Sequence, residues 1–228
     1  MSEITLIKIK EEILSENKEL ADQLRERLDE KGVFLVNFMS SPGSGKTSLI
    51  VRSLNHLGST YRIAVIEGDV DSAVDAERVA QEGVPAVQIQ TGGSCHLTAA
   101  MVDKGLGALS LDSIDLLFLE NIGNLICPVG SDTGAHLNVA LLSVPEGDDK
   151  PLKYPRIFQT ADAFVVNKTD VLDHFDFDLG VFRDRVRRLN PEAPVFEVSC
   201  KTGQGIDLWC RWLRERVGEG VKDPGHTP

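Results

Sequence analysis

Short apolar runs alternate along the chain with stretches in which apolar residues recur every three or four positions. VFLVNFM (33–39), RIAVIEGD (62–69), AVQIQT (86–91), DLLFLEN (115–121), LNVALLSV (137–144), DAFVVNK (162–168) and PVFEVS (194–199) are rich in strand-forming residues and show little polar alternation. That pattern predicts strands buried on both faces. TSLIVRSLNHL (47–57) and the segments 72–83, 95–105, 178–189 and 205–217 read as helices. Ahead of them, Ile13, Leu20, Leu24 and Leu28 recur among Glu and Lys, predicting an amphipathic helix over about 8–31 that ends near Gly32.

Strands alternating with helices imply an α/β fold of three layers, a mostly parallel sheet with helices on both faces. Its binding crevice lies at the carboxyl ends of the strands. No internal repeat interrupts the pattern, and the 228 residues read as one domain with a frayed tail over 219–228. PEGDDKPLKYP (145–155) is a polar, proline-bounded excursion too long for a tight connection, and is expected to be a functional loop.

Composition narrows the function. A net charge of −11 argues against nucleic acid or an anionic membrane as partner, so any bound polyanion must be held locally. The first 20 residues contain no signal-like apolar core, and DLLFLENIGNLI is broken by Asp115, Glu120 and Asn121 well short of membrane-spanning length. The expectation is a soluble cytoplasmic protein. Cys95, Cys127, Cys200 and Cys210 then read as reduced thiols open to metal or redox roles.

Ser40-Ser41-Pro42-Gly43-Ser44-Gly45-Lys46-Thr47, between the first strand and its helix, has the context of a phosphate loop. Gly43, Ser44, Gly45, Lys46, Thr47 and Ser48 are its candidate binding residues. Backbone N–H groups and the helix terminus would surround the phosphates, Lys46 would reach the β/γ oxygens, and the Thr47 hydroxyl would meet Mg²⁺. Ser40 stands where the usual pattern has its first glycine, a small cost if its φ is negative.

Asn167-Lys168-Thr169-Asp170 follows the DAFVVNK strand, where a base-recognition loop belongs. A carboxylate at Asp170 can accept from both N1–H and the 2-amino group of guanine, whereas adenine would leave it unpaired. Ser199-Cys200-Lys201-Thr202-Gly203, after the last strand, resembles the loop that borders guanine in GTPases, so GTP is preferred to ATP.

Glu67, Asp69, Asp71 and Asp75 put carboxylates on the phosphate side of the sheet. Asp75, then Asp69, are candidate Mg²⁺ ligands with Thr47. Glu120 ends another buried strand near the metal or its waters, and Gly123 beyond it would let the backbone approach the γ-phosphate. Lys46, Thr47, Asp75 and Glu120 form the candidate catalytic set, acting by positioning and charge neutralisation with slow turnover expected.

Cys95-His96 and Cys127 could supply two thiolates and an imidazole, a donor set suited to Zn²⁺ or Ni²⁺, although spacing alone does not bring them together. In combination, SSPGSGKTS, EGDVDSAVDAERV, TGGSCHL, ENIGNLICP, EGDDKPLKYP, VVNKTD and SCKTGQG resemble the hydrogenase nickel-incorporation GTPases of HypB type, over about residues 8–218 and in the family's order. The resemblance implies a GTP-dependent homodimer whose interface metal site is built from Cys95, His96 and Cys127 of each chain. It further implies GTP, Mg²⁺ and Ni²⁺ or Zn²⁺ as cofactors, and a hydrogenase maturation partner and the hydrogenase large subunit as protein partners. The Cys-rich motif and histidine tract of some members have no counterpart here, so no separate tight nickel store is expected. His136 and His174 read as surface or packing residues, and Trp209 and Trp212 as core.

Three rival readings follow from the same residues, one of them a non-catalytic metal-binding or scaffold protein with a vestigial nucleotide site, which the retention of Lys46 and Thr47 argues against. The urease nickel GTPases share the loop order but are marked by a Cys-Pro-His motif that this sequence lacks. A P-loop kinase acting on a small molecule would need only the phosphate loop, and NKTD with SCKTG argues against it.

Overall fold

The computed structural model describes residues 9–71 and 74–220. Residues 72 and 73, at the expected start of one helix, the tail beyond 220 and the side chain of Ile13 lie outside the described residues. Seven strands, β1 (Phe34–Ser40), β2 (Ile63–Asp69), β3 (Ala86–Gln90), β4 (Leu116–Glu120), β5 (Leu137–Ser143), β6 (Ala163–Asn167) and β7 (Val195–Glu197), form one sheet in the order β3-β2-β4-β1-β5-β6-β7. All six pairings are parallel, a stricter arrangement than the mostly parallel sheet expected.

Period-two alternation divides the core. Val36 and Phe38 of β1 and Leu116 and Phe118 of β4 face α2 (Lys46–Leu57) and α8 (Ile206–Gly220). Leu35, Leu117 and Leu119 face the other way, onto α1 (Ile9–Glu30) and α4 (Ala99–Leu106). On that same side the β5–β6 half is covered by α6 (Pro155–Thr160) and α7 (Leu179–Leu189). Side chains that cross neither layer into water explain why the strands read as continuous apolar runs. Each fully buried leucine or phenylalanine contributes about 1.5–3 kcal/mol.

The amphipathic first helix buries Ala21, Leu24 and Leu28 and ends as its glycine predicts: Gly32, at φ +66°, lets the Val33 N–H return to the Leu28 carbonyl at 2.9 Å. Trp209 is fully buried and donates to Ser53 Oγ at 2.9 Å, while Trp212 is partly buried against the same core. His136 packs on the Phe34 ring, accepts from Leu35 N and pairs with Asp29, whereas His174 is exposed.

Three predicted spans change. Cys95 and His96 do not open a helix; α4 begins at Ala99, because Thr98 supplies the cap and accepts from Met101 N. The helix expected over 72–83 is α3 (Val74–Ala80). The excursion over 145–155 is folded: a 3₁₀ turn, Val144–Glu146, is closed by a reciprocal Ser143–Glu146 capping box, and α5 (Lys150–Lys153) follows, with prolines at the helix starts. No helix among the described residues is long and apolar enough to cross a membrane.

Candidate functional site

β1 delivers the phosphate loop at the carboxyl edge of the sheet. Gly43 and Gly45 take φ values of +76° and +98°, and Gly45 caps α2. Ser40 does not share that conformation, since Lys168 is the only non-glycine residue with positive φ among those described. Its hydroxyl instead meets Lys46 Nζ at 3.0 Å. Lys46 and Thr47 are buried around Glu120, with Lys46 Nζ 3.9 Å from its Oε1 and the Thr47 hydroxyl donating to the same oxygen at 3.0 Å.

Glu67 joins this cluster through strand register, which sets it beside Glu120 on the adjoining strand. Both side chains are sealed from water. Burial, with the Glu120 charge and a hydrogen bond to it, pushes the Glu67 carboxyl up to about 10, so it is protonated at neutral pH and donates to Glu120. Burial also raises Glu120, against the opposing pull of Lys46. Among the described residues, Glu67 Oε1 and Glu120 Oε2 find no hydrogen-bond partner. Two orphaned carboxylate oxygens beside a threonine hydroxyl are a donor set that suits a hard cation and its waters. Asp75, half-buried at the start of α3, is near enough that its charge raises both glutamates, whereas Asp69 Oδ1 accepts from Asp71 N.

The predicted base loops converge on one cavity of about 570 Å³, lined by Gly45, Ser48, Asn167, Lys168, Asp170, Cys200 and Lys201. Buried Asn167 couples three loops, donating to the Ser44 carbonyl at 2.9 Å and accepting from Cys200 N at 3.1 Å. Ser199 Oγ donates to Asp170 Oδ1 at 2.6 Å, and Lys201 stands 4.0 Å from Oδ2. Lys168 bends across the loop so that Nζ donates to the Gly43 carbonyl at 2.7 Å. Burial pushes the Cys200 thiol up to about 11, which makes it a packing group rather than a nucleophile.

Cys95, His96 and Cys127, unconnected by sequence spacing, come together: their ligand atoms all lie within 4.8 Å of one another. Burial lowers His96, keeping the imidazole neutral and able to bind a metal, and a hydrogen bond with Cys127 raises the Cys95 thiol. Asn124 ties the two arms, donating to the Cys95 carbonyl at 3.4 Å and accepting from Ile126 N and Cys127 N at 2.8 and 3.3 Å. Deeper, Asn121 Oδ1 accepts from Leu97 N and Ile122 N at 3.0 Å, its amide donates to Asn37 Oδ1, and Asn37 donates to Asn138 Oδ1. Between these asparagines Gly123 lies so near the phosphate loop that a Cβ there would sit 2.9 Å from Pro42 N and Cα.

Sequence reasoning missed several residues of this site. Arg52 and Arg78 line the cavity, and Arg52 donates to the carbonyls of Cys200 and Lys201 at 2.8 and 3.1 Å. Glu146 accepts from Ser44 Oγ at 2.7 Å and from Ser143 N, fixing the folded excursion to the phosphate loop. Arg52 belongs to no motif; Glu146 opens EGDDKPLKYP, but nothing in that string shows its contact with Ser44. Glu67 was already among the carboxylates expected on the phosphate side, and the strand register adds its pairing with Glu120.

The model of the CobW/HypB/UreG nucleotide-binding domain matches residues 34–197. The hydrogenase maturation factor HypB of Azotobacter vinelandii is 45% identical over 222 residues, 97% of this chain and 73% of that protein. The hydrogenase/urease maturation factor HypB of Helicobacter pylori strain J99 is 41% identical over 220 residues, 95% of this chain and 90% of that protein. A crystal structure of HypB from Helicobacter pylori in complex with nickel superposes with a TM-score of 0.86 at 38% identity, covering 93% of this chain and 100% of that one. With the family model covering most of the chain and these relatives matching nearly all of it, the chain belongs to the CobW/HypB/UreG family of nucleotide-binding domains, within its HypB group.

Proposed function

We propose that the chain is a single-domain cytoplasmic GTPase that carries nickel for the maturation of [NiFe]-hydrogenase, holding and releasing the metal according to its nucleotide. The observation that carries this reading is the continuity of one segment: Gly123 abuts Pro42 of the phosphate loop, and four residues later Cys127 meets Cys95 and His96. A change at the γ-phosphate position would move Gly123, and with it a metal ligand.

In this reading Asp170 selects guanine, with Asn167, Ser199, Cys200 and Lys201 shaping its loop. Gly43, Ser44, Gly45, Lys46 and Ser48 hold the phosphates. Thr47 and Glu120, with Asp75 and Asp69, would hold Mg²⁺, which when bound neutralises charge on the β- and γ-phosphates. Thr47 and Lys46, which now contact Glu120, would then turn to the metal and the phosphates, leaving Glu120 to hold the ion or its waters. Charge neutralisation without a dedicated base accounts for slow hydrolysis of GTP to GDP and phosphate.

Three metal donors per chain leave a four-coordinate ion incomplete, which a second copy across a two-fold axis would remedy, so GTP-dependent dimerisation belongs to the proposal. The same donors accept Zn²⁺ as well as Ni²⁺. The recipient is a hydrogenase large subunit reached through a further maturation protein. The nickel-bound Helicobacter HypB structure supports nickel as cargo.

Calorimetric Ni²⁺ titration of the wild type and Cys127→Ala, each with a non-hydrolysable GTP analogue and with GDP, tests the reading. Nucleotide-dependent affinity that Cys127→Ala abolishes is expected; affinity indifferent to both would overturn it.

A further inference from the structure

Asn17 lies on α1, outside residues 34–197, and is partly buried. Its one carboxamide meets both arms of the metal centre. Oδ1 accepts from Ala99 N at 3.0 Å, three residues beyond His96, and Nδ2 donates to the Asp132 carbonyl at 2.8 Å, five beyond Cys127. Neither backbone group belongs to a sheet ladder, so each relies on a side chain for its partner. Asn124 joins the arms at the ligand end; Asn17 joins them where they leave the centre.

The rest of α1 keeps that amide in place. Arg25 holds the Asp132 carboxylate at 3.0 Å, and Arg27 pairs with Asp103 of α4 at 2.9 Å. Gly134 passes so close that a Cβ would lie 2.9 Å from Leu24 Cβ. These contacts bind one arm each, and only Asn17 on α1, among the described residues, is hydrogen-bonded to both.

We propose that Asn17 is a positioning residue for the Cys95–His96–Cys127 centre, fixing the reach between its two arms so that α1 helps to set how tightly the metal is held. This rests on the nickel-carrier reading for its metal, but not for its geometry, since the spacing of two thiols can be measured without metal. Asn17→Ala removes both bonds. Asn17→Asp keeps the acceptor for Ala99 N–H but loses the donor to Asp132, so it releases one arm only.

The full chain and both variants would be titrated with NiCl₂ by calorimetry and, metal-free, with phenylarsine oxide, which bridges two close thiols with release of one water. GTP-analogue affinity and thermal stability are recorded alongside. Asn17→Ala is expected to weaken Ni²⁺ about 10-fold or more and to lower arsenical capture, with Asn17→Asp between it and wild type and nucleotide affinity within about two-fold. Unchanged Ni²⁺ affinity and capture in Asn17→Ala would overturn the proposal, as would parallel loss of metal and nucleotide binding in step with lost stability. If wild type captures the arsenical in an Asn17-dependent way yet binds no Ni²⁺, the cargo assignment fails and the positioning role stands. If wild type binds Ni²⁺ and both variants match it, the positioning role alone fails.

Discussion

Glu67 and Glu120 stand side by side on neighbouring strands, and burial pushes both carboxyls above their ordinary range. Two carboxyls so placed cannot both ionise without a cation, and Lys46 supplies only part of the compensation.

The empty protein should therefore lose stability as pH rises. Glu67 is raised in the folded state from an ordinary 4.5 to about 10, so the folded chain binds the extra proton; its contribution is complete below about 4.5 and fades as pH climbs towards 10. Thermal melts of nucleotide-free protein between pH 6 and 9 should show a falling Tm, and Glu67→Gln should flatten that slope. An equal slope in wild type and variant would assign the proton elsewhere.

Asp170→Asn should cost guanine binding without harming the phosphate loop. Loss of charge-assisted hydrogen bonds removes about 1.5–3 kcal/mol, or roughly 10- to 100-fold in GTP affinity. Xanthosine triphosphate, which presents an oxygen where guanine has its amino group, should recover part of that loss in a competition assay.

Arg52→Ala tests a residue that touches the base loop only through its backbone. Freeing the Cys200 and Lys201 carbonyls should weaken GTP about 10-fold and narrow the preference over ATP, while Tm changes little. Arg52→Lys should restore only part, because an ammonium lacks the planar fork. Equilibrium binding of both nucleotides provides the measurement.

Gly123→Ala places a methyl against Pro42, where backbone must yield. Overpacking of this kind costs about 1–3 kcal/mol. Nucleotide affinity should fall accordingly, and the difference in Ni²⁺ affinity between GTP-analogue and GDP states should shrink. Retention of that difference would detach the metal centre from the phosphate loop at this contact.

Much of this architecture could be read from the chain, and for identifiable reasons. Strands such as DLLFLEN are buried on both faces and leave an unbroken apolar run, while the glycines of the phosphate loop mark backbone that other residues avoid. Asn167 and Asp170 were legible because guanine chemistry dictates their type. Arg52, Glu146 and Asn17 were not, because each acts on backbone or side-chain groups far along the chain, and a long-range hydrogen bond leaves no period in a sequence. The helix start was misplaced at Cys95 because Thr98, a better cap, lies three residues on.

The row from Leu97 through Asn121 and Asn37 to Asn138 has a grammar as well as a path. Two backbone N–H groups can only give, so Asn121 must turn its oxygen to them and its nitrogen to Asn37, which in turn must do the same to Asn138. Every amide in the row is thus spelled in one sense from one end. Reversing any member would set donor against donor or acceptor against acceptor beneath the loop that carries His96, so the row admits a single reading.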